Sequence, residues 1–290
     1  MLQKIILSES DLSRKTAIIF LIITGILWST GGFIIKTIPW PSLTIAGLRS
    51  GITFILLYSY SRPKLSNFGK YTWGGAFAYT LMVVCFVIGN KMTTAGNVIL
   101  IQFSAPVYVA IFSFSFLGEK STKIDWFSIF IILIGLGCFF IDDLSFNQLW
   151  GNIFALLSGF GFAGLTLFMR KQKDGRPIDT VILGNLITFL LCFPFYGKAV
   201  PFEIEHWLMI TFLGVVQLGF AYILYSIAIK YLSALDAIIY PVVEPIFNPI
   251  FAFLFLGEHM GVNALIGGTL VLSGVMGRGI IQNPDTVDLK

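Results

Sequence analysis

KMTTAGNVILIQFSAPVYVAIFSFSFLGE (residues 91–119) and KYLSALDAIIYPVVEPIFNPIFAFLFLGE (residues 230–258) decide how this chain folds. Offset by 139 positions, they match at Lys91 and Lys230, at Pro106 and Pro245, and at Phe116-Leu117-Gly118-Glu119 and Phe255-Leu256-Gly257-Glu258. The same offset continues to Gly135 and Gly274. A phenylalanine-rich chain can repeat FLGE by accident, but not readily with the lysine and the proline also in register. The stretches read as two copies of one unit. Both are apolar over the roughly 20 residues that a helix needs to cross hydrocarbon.

Outward from this pair, similar runs lie at about 17–36, 42–60, 71–89, 95–117, 124–141, 150–169, 178–197, 207–229, 233–256 and 262–280. Composition demands them. Of the 290 residues 56% are hydrophobic and 12% charged, half the roughly 25% of soluble domains, so the outer surface must face lipid. The N-terminal stretch MLQKIILSESDLSRK has too short an apolar core for a signal peptide, and the first long run reads as a retained span. The expected fold is an all-α integral membrane protein of ten transmembrane helices, with five-helix repeats over 17–141 and 150–280.

Five is odd, so the second repeat enters the membrane from the opposite side. The charges agree. With both termini in the cytoplasm, only Lys36, Lys91 and Lys198 stand at outer ends and Arg49 lies within a span. The other lysines and arginines fall on the inner face, where positive loops belong. The expected location is the cell's inner (plasma) membrane. Inverted repeats with a site near the midplane mark secondary transporters.

On these residues the chain resembles the drug/metabolite transporter superfamily, in its ten-helix EamA-type family. The resemblance is carried by the two P…FLGE ends (Pro106–Glu119 and Pro245–Glu258), by KYLSALDAIIYPVVEPIF (230–247), by Trp28 in GILWSTGGFIIK and by AGLRS (46–50). It covers about 17–280 and implies a cavity between two five-helix halves. It also implies transport, often outward, of amino acids, other small metabolites, drugs or nucleotide sugars. One departure limits it: Ser104-Ala105-Pro106 stands where the second repeat has Val243-Glu244-Pro245, so the carboxylate is not duplicated.

The site candidates follow from polarity at membrane depth. Pro241, Pro245 and Pro249 lack N–H groups and free the carbonyls four residues back. At helical spacing Tyr240, Glu244 and Asn248 then form a polar stripe, tolerable only against protein or a wet cavity. A charge at mid-bilayer costs about 2.5–3.5 kcal/mol. Arg49 lies at a depth comparable to Glu244, so both are expected to face the interior, and whether they pair is left open by the sequence. Two roles are open to them: binding a proton or cationic group, or pinning helices as an architectural ion pair. Gln102, Gln217, Tyr222, Tyr79 and Trp28 complete the candidate set, and each is also suited to plain interhelix contact. Glu119, unfavourable at a helix C-terminus, should find a basic neighbour (Lys120 or Lys123) or cap a facing helix. Trp40, Trp73, Trp126, Trp150 and Trp207 read as interfacial anchors.

Other classes lack their signatures. The three cysteines have no metal or redox spacing; no zinc-protease, nucleophile-elbow or Walker motif occurs; no filter loop suggests a channel. No cofactor or metal is expected, and no enzyme. The expected partners are a small-molecule substrate and the lipid bilayer, with no nucleic acid; a homodimer is allowed. The expected activity is export of a small amphipathic metabolite such as an apolar amino acid. Import or exchange of organic cations is the alternative.

Overall fold

The computed structural model of the protein describes residues 12–64, 66, 68–139, 141, 148–197, 203–247 and 262–281. Among the described residues the regular structure is helical, without strands. The helices are α1 (Arg14–Thr37, interrupted at Ser29-Thr30), α2 (Ser42–Ser61), α3 (Lys70–Met92), α4 (Ala95–Leu117, interrupted at Phe103-Ser104) and α5 (Lys123–Phe139). They continue with α6 (Leu149–Lys171), α7 (Pro177–Phe195), α8 (Ile204–Ala228), α9 (Ala234–Ile239, running on as a 3-10 turn Tyr240–Val243) and α10 (Val262–Ile281). Seven of them, α1–α4 and α6–α8, are long and apolar enough to cross a membrane. The remainder of the ninth expected span, with Glu258, lies outside the described residues.

The repeat reaches into the capping chemistry. Thr94 opens α4 by accepting a hydrogen bond from the Asn97 N–H at 3.1 Å. Ser233, 139 positions on, opens α9 by accepting from the Asp236 N–H at 3.0 Å, and Asp236 completes a capping box. Both devices satisfy N–H groups that a helix start leaves orphaned. At the other end of α4 Gly118 takes φ 81°, the left-handed stop expected of FLGE.

Side-chain contacts sort the helix ends into two layers. In one, Arg176 Nη2 donates to the Ser61 carbonyl at 2.7 Å, Thr72 to Gln172 at 2.9 Å and Arg170 Nη1 to the Lys230 carbonyl at 2.9 Å. Arg14 reaches Asp236 and Arg278 reaches Asp125. This is the Lys/Arg-rich end. In the other layer Lys91 Nζ donates to the Ile38 carbonyl, Thr44 to the Phe195 carbonyl and Asn97 Nδ2 to Asn152 Oδ1. Successive helices thus run antiparallel. α1 starts at the Lys/Arg-rich end and α6 at the opposite one.

Packing partners come in exchanged sets. α3 packs on α6 as α8 packs on α1, α3 on α7 as α8 on α2, and α4 on α6 as α9 on α1; the pairs α2–α7, α4–α9 and α5–α10 map onto themselves. The α5–α10 crossing shows this atom by atom. A Cβ on Gly135 would stand 2.8 Å from the Val271 nitrogen and 2.9 Å from the Gly267 carbonyl. A Cβ on Gly274 would meet Ile132 at 2.9 Å and the Ser128 carbonyl at 3.3 Å. Val271 and Ile132, like Gly267 and Ser128, are 139 apart. Such close approach of small residues drives helix association where lipid removes the hydrophobic difference.

The tryptophans divide. Trp73, Trp126 and Trp150 are exposed at helix ends, as interfacial anchors should be. Trp40, by contrast, is buried, packed edge-to-face on Trp207 at 5.3 Å; the link between α1 and α2 folds inward and places the two indoles together.

Gly135→Val should lower the detergent-solubilised melting temperature by roughly 3–10 °C, the equivalent of about 1–3 kcal/mol of overpacking. Gly137→Val, where nothing lies within 4 Å, should leave it unchanged. Equal melting of the two variants would remove the glycine contact from the account.

Candidate functional site

Four helix irregularities converge on one place. α1 breaks after Trp28, and α4 breaks after Gln102. α8 widens to a π-helix over Leu213–Phe220, which contains Gln217. α9 tightens to 3-10 over Tyr240–Val243, immediately before Glu244. Trp28, Gln102, Gln217 and Glu244 line the same cavity, together with Arg49, Met82, Val83, Phe86, Phe162, Leu218 and Tyr222. Its volume is about 40 Å³, room for roughly three waters. Irregular backbone at membrane depth is stable only against protein or a wet cavity, and here it faces protein and a cavity with room for water. The Thr53 hydroxyl donates to the Gly214 carbonyl at 2.8 Å, and the Thr24 hydroxyl to the Ala221 carbonyl at 3.3 Å. These threonines serve α8 at the start of its π-helix and just beyond it.

The polar groups are few and deeply placed. Arg49 is 1% exposed. Its Nη1 donates to Gln217 Oε1 over a long 3.4 Å, and its Nε has no partner among the described residues. The Glu244 carboxylate, also buried, has no hydrogen bond or ion pair among the described residues. Trp28 Nε1 is likewise unpartnered. Gln102 is tied down: its Nε2 donates to Ser158 Oγ at 2.8 Å, and that hydroxyl donates to the Met82 carbonyl at 2.9 Å. Aromatic rings form one wall. Trp28 meets Phe162 edge-on at 5.5 Å and Tyr222 at 5.3 Å. Tyr225 stands behind at 5.6 Å, its hydroxyl 2.8 Å from that of Thr166.

Of the residues expected at a site, Trp28, Arg49, Gln102, Gln217, Tyr222 and Glu244 line the cavity. Tyr79 stands one layer back. Its ring packs on Tyr222 at 5.3 Å and its hydroxyl donates to Asn185 Oδ1 at 3.0 Å. Tyr240 leaves the stripe and lies beside Asp236, Arg14 and Arg278. The 3-10 turn is the reason: four residues advance the face by about 40° in an α-helix but about 120° at three residues per turn. The Pro241 carbonyl, expected bare, accepts from the Glu244 N–H. Asn248 and Pro249 lie outside the described residues. Among the described residues Arg49 and Glu244 do not pair; Arg49 is turned to Gln217 on α8. Met82, Val83, Phe86, Phe162 and Leu218 escaped the sequence reading because an apolar residue facing a cavity carries no mark that one facing a neighbour lacks.

Glu119 meets its expectation with different partners. Arg170 Nε donates to its Oε1 at 2.7 Å, and the Ala234 N–H, at the start of α9, to its Oε2 at 2.8 Å. It has a basic neighbour and caps a facing helix, but the base comes from α6.

Because Arg49 and Glu244 share the cavity without pairing, Arg49→Met and Glu244→Gln should couple only weakly in thermal stability, by about 0.5–1 kcal/mol, the low end for residues around one cavity. A double-mutant cycle in detergent melts measures it. A coupling of several kcal/mol, as a direct buried pair gives, would place the two groups in contact.

Comparison with known proteins agrees with this architecture. The sequence profile of the EamA-like transporter family matches residues 15–141 and again 149–278. An "Uncharacterized transporter" of Archaeoglobus fulgidus is 23% identical over 88% of this chain and 93% of its own. The "Uncharacterized transporter YxxF" of Bacillus subtilis is 22% identical over 92% and 91%. A solved crystal structure superposes with TM-score 0.77 at 16% identity, covering 94% of this chain and all of the other; that likeness concerns the fold. Family and relatives point to a transporter rather than an enzyme. The matches, the apolar helices and the cavity lead to one conclusion: this chain is a multi-pass membrane protein and belongs to the EamA-like transporter family.

Proposed function

We propose that the protein is a secondary carrier built as two inverted five-helix repeats, ten spans in all. Both termini lie in the cytoplasm, and the cavity is alternately exposed to the two sides of the cell's inner (plasma) membrane. The observation that carries this reading is the convergence of four broken helices on a cavity holding one buried cation and one buried carboxylate. Discontinuous helices at the junction of two repeats are how secondary transporters expose backbone and side-chain polarity to a solute inside the bilayer. Driving energy comes from a gradient or from exchange.

The lining suggests a small amphipathic solute. Arg49 suits a carboxylate; Glu244, with the faces of Trp28, Phe162 and Tyr222, suits an ammonium; the remaining walls are apolar. A zwitterion such as an apolar amino acid uses both charges, and we favour it, with export as the direction that the family resemblance suggests. Because the cavity has a volume of only about 40 Å³, binding must be accompanied by opening. An organic cation is the second reading, favoured by the aromatic wall on the Glu244 side.

Counterflow in proteoliposomes tests the proposal. Labelled leucine should accumulate transiently against preloaded leucine and saturate, with little uptake of a labelled quaternary ammonium ion. The reverse preference supports the cation reading. Linear, non-saturating flux of both would sink the carrier. Glu244→Gln should abolish exchange or flatten its dependence on pH; wild-type turnover with an unaltered pH profile would remove Glu244 from the mechanism.

A further inference from the structure

We infer that the first turn of α9 is an ionic latch that holds the cavity shut at the Lys/Arg-rich end, and that the protein therefore rests closed at that end. This rests on the carrier reading above. Two separate groups converge on the turn. The Ala234 N–H donates to Glu119 Oε2 at 2.8 Å, and Glu119 is held by Arg170 at 2.7 Å. Two residues on, Asp236 is bonded by Arg278 and approached by Arg14 at 3.7 Å. Arg278 also donates from Nε to Asp125 Oδ1 at 2.7 Å. The turn is thus tied directly to α1, α4 and α10, and through Arg170 to α6. Arg278 and Asp236 are nearly inaccessible, at 3% and 7% side-chain exposure. Eight residues beyond Asp236, the same segment carries Glu244 into the cavity, so moving the latch moves a cavity wall.

At the opposite end the first turn of α4 repeats the cap with a neutral side chain at the matching position. Asn97 stands 139 positions before Asp236, in the first turn of α4, and Thr94 caps that turn as Ser233 caps α9. Its Nδ2 donates to Asn152 Oδ1 and to Thr93 Oγ1, both at 3.1 Å. Asn152 lies in the first turn of α6 as Arg14 lies in the first turn of α1. The positions 139 from Arg278 and Asp125 are Phe139 and Ala264, without charge. The first turn of α4 is held to α6 by an amide pair, whereas that of α9 is held by charge-assisted bonds in buried surroundings, which are harder to break. Opening the ionic end is the rarer event.

Asp236→Asn gives the ionic end the residue of the neutral one. The test uses Val83→Cys, in the cavity, in a chain otherwise freed of thiols (Cys85→Ala, Cys138→Ala, Cys192→Ala). A membrane-impermeant maleimide is applied to sealed vesicles of both orientations. Asp236→Asn should raise the labelling rate from the Lys/Arg-rich face roughly ten- to hundredfold, the range set by one charge-assisted bond. Arg14→Gln, which removes the longer and more exposed contact, should raise it less. An unchanged rate from that face, with normal amounts of protein in the membrane, would make the network fixed architecture and overturn the latch. If Asp236→Asn does not reach the membrane, the rate in Arg14→Gln decides by the same criterion. Labelling needs no transported solute, so the two readings fail separately. A wild type that does not perform counterflow loses the carrier, and one that transports with unmoved labelling loses only the latch.

Discussion

Hydrocarbon offers no partner to a peptide N–H or carbonyl, and that constraint decides most of what this structure does. A chain with 12% charged residues can stay in lipid only as helices whose backbones satisfy themselves. Every break must be repaired or turned toward water. Here the breaks in α1, α4, α8 and α9 are gathered around one cavity, and threonine hydroxyls take up carbonyls of the disturbed α8. The cavity is the place where departures from regular structure are least unfavourable, and for that reason it is also where Arg49, Glu244 and the glutamines can be held.

A second layer of organisation is the exchange of packing partners between the halves of the chain. It runs through caps, glycine contacts and helix pairings at an offset of 139 residues. Duplicated geometry leaves chemistry free to differ. Glu244 has Ala105 opposite it and Asp236 has Asn97, so the halves share a shape while only the second places carboxylates at these points. A carrier made of identical halves would have no preferred resting side. The substitutions that break the equivalence are where such a preference can reside.

Much of this was legible in the sequence. Among the described residues helix positions came within a few residues of the expected spans, because a membrane span is defined by a long apolar run. Cavity residues were legible where polarity was out of place, as with Arg49, Gln102, Gln217 and Glu244. Three things were not. The 3-10 turn at Tyr240–Val243 rotates Tyr240 away from Glu244, and sequence spacing assumes α geometry. The π-helix around Gln217 has no composition that announces it. Arg170, which holds Glu119, is remote in sequence, whereas the expectation had looked to the neighbouring lysines. Local spacing gives the face of a helix; it does not give which helix lies against that face.

The widened stretch of α8 has a further consequence. Leu213–Phe220 accommodates more residues per turn than an α-helix. Rewinding it to α geometry by one residue would twist everything downstream by about 100°. Tyr222 and Tyr225 lie just past that point. Such a local change of winding would swing both phenol rings around the helix axis and unstack them from Trp28, while the first half of α8 stayed in place.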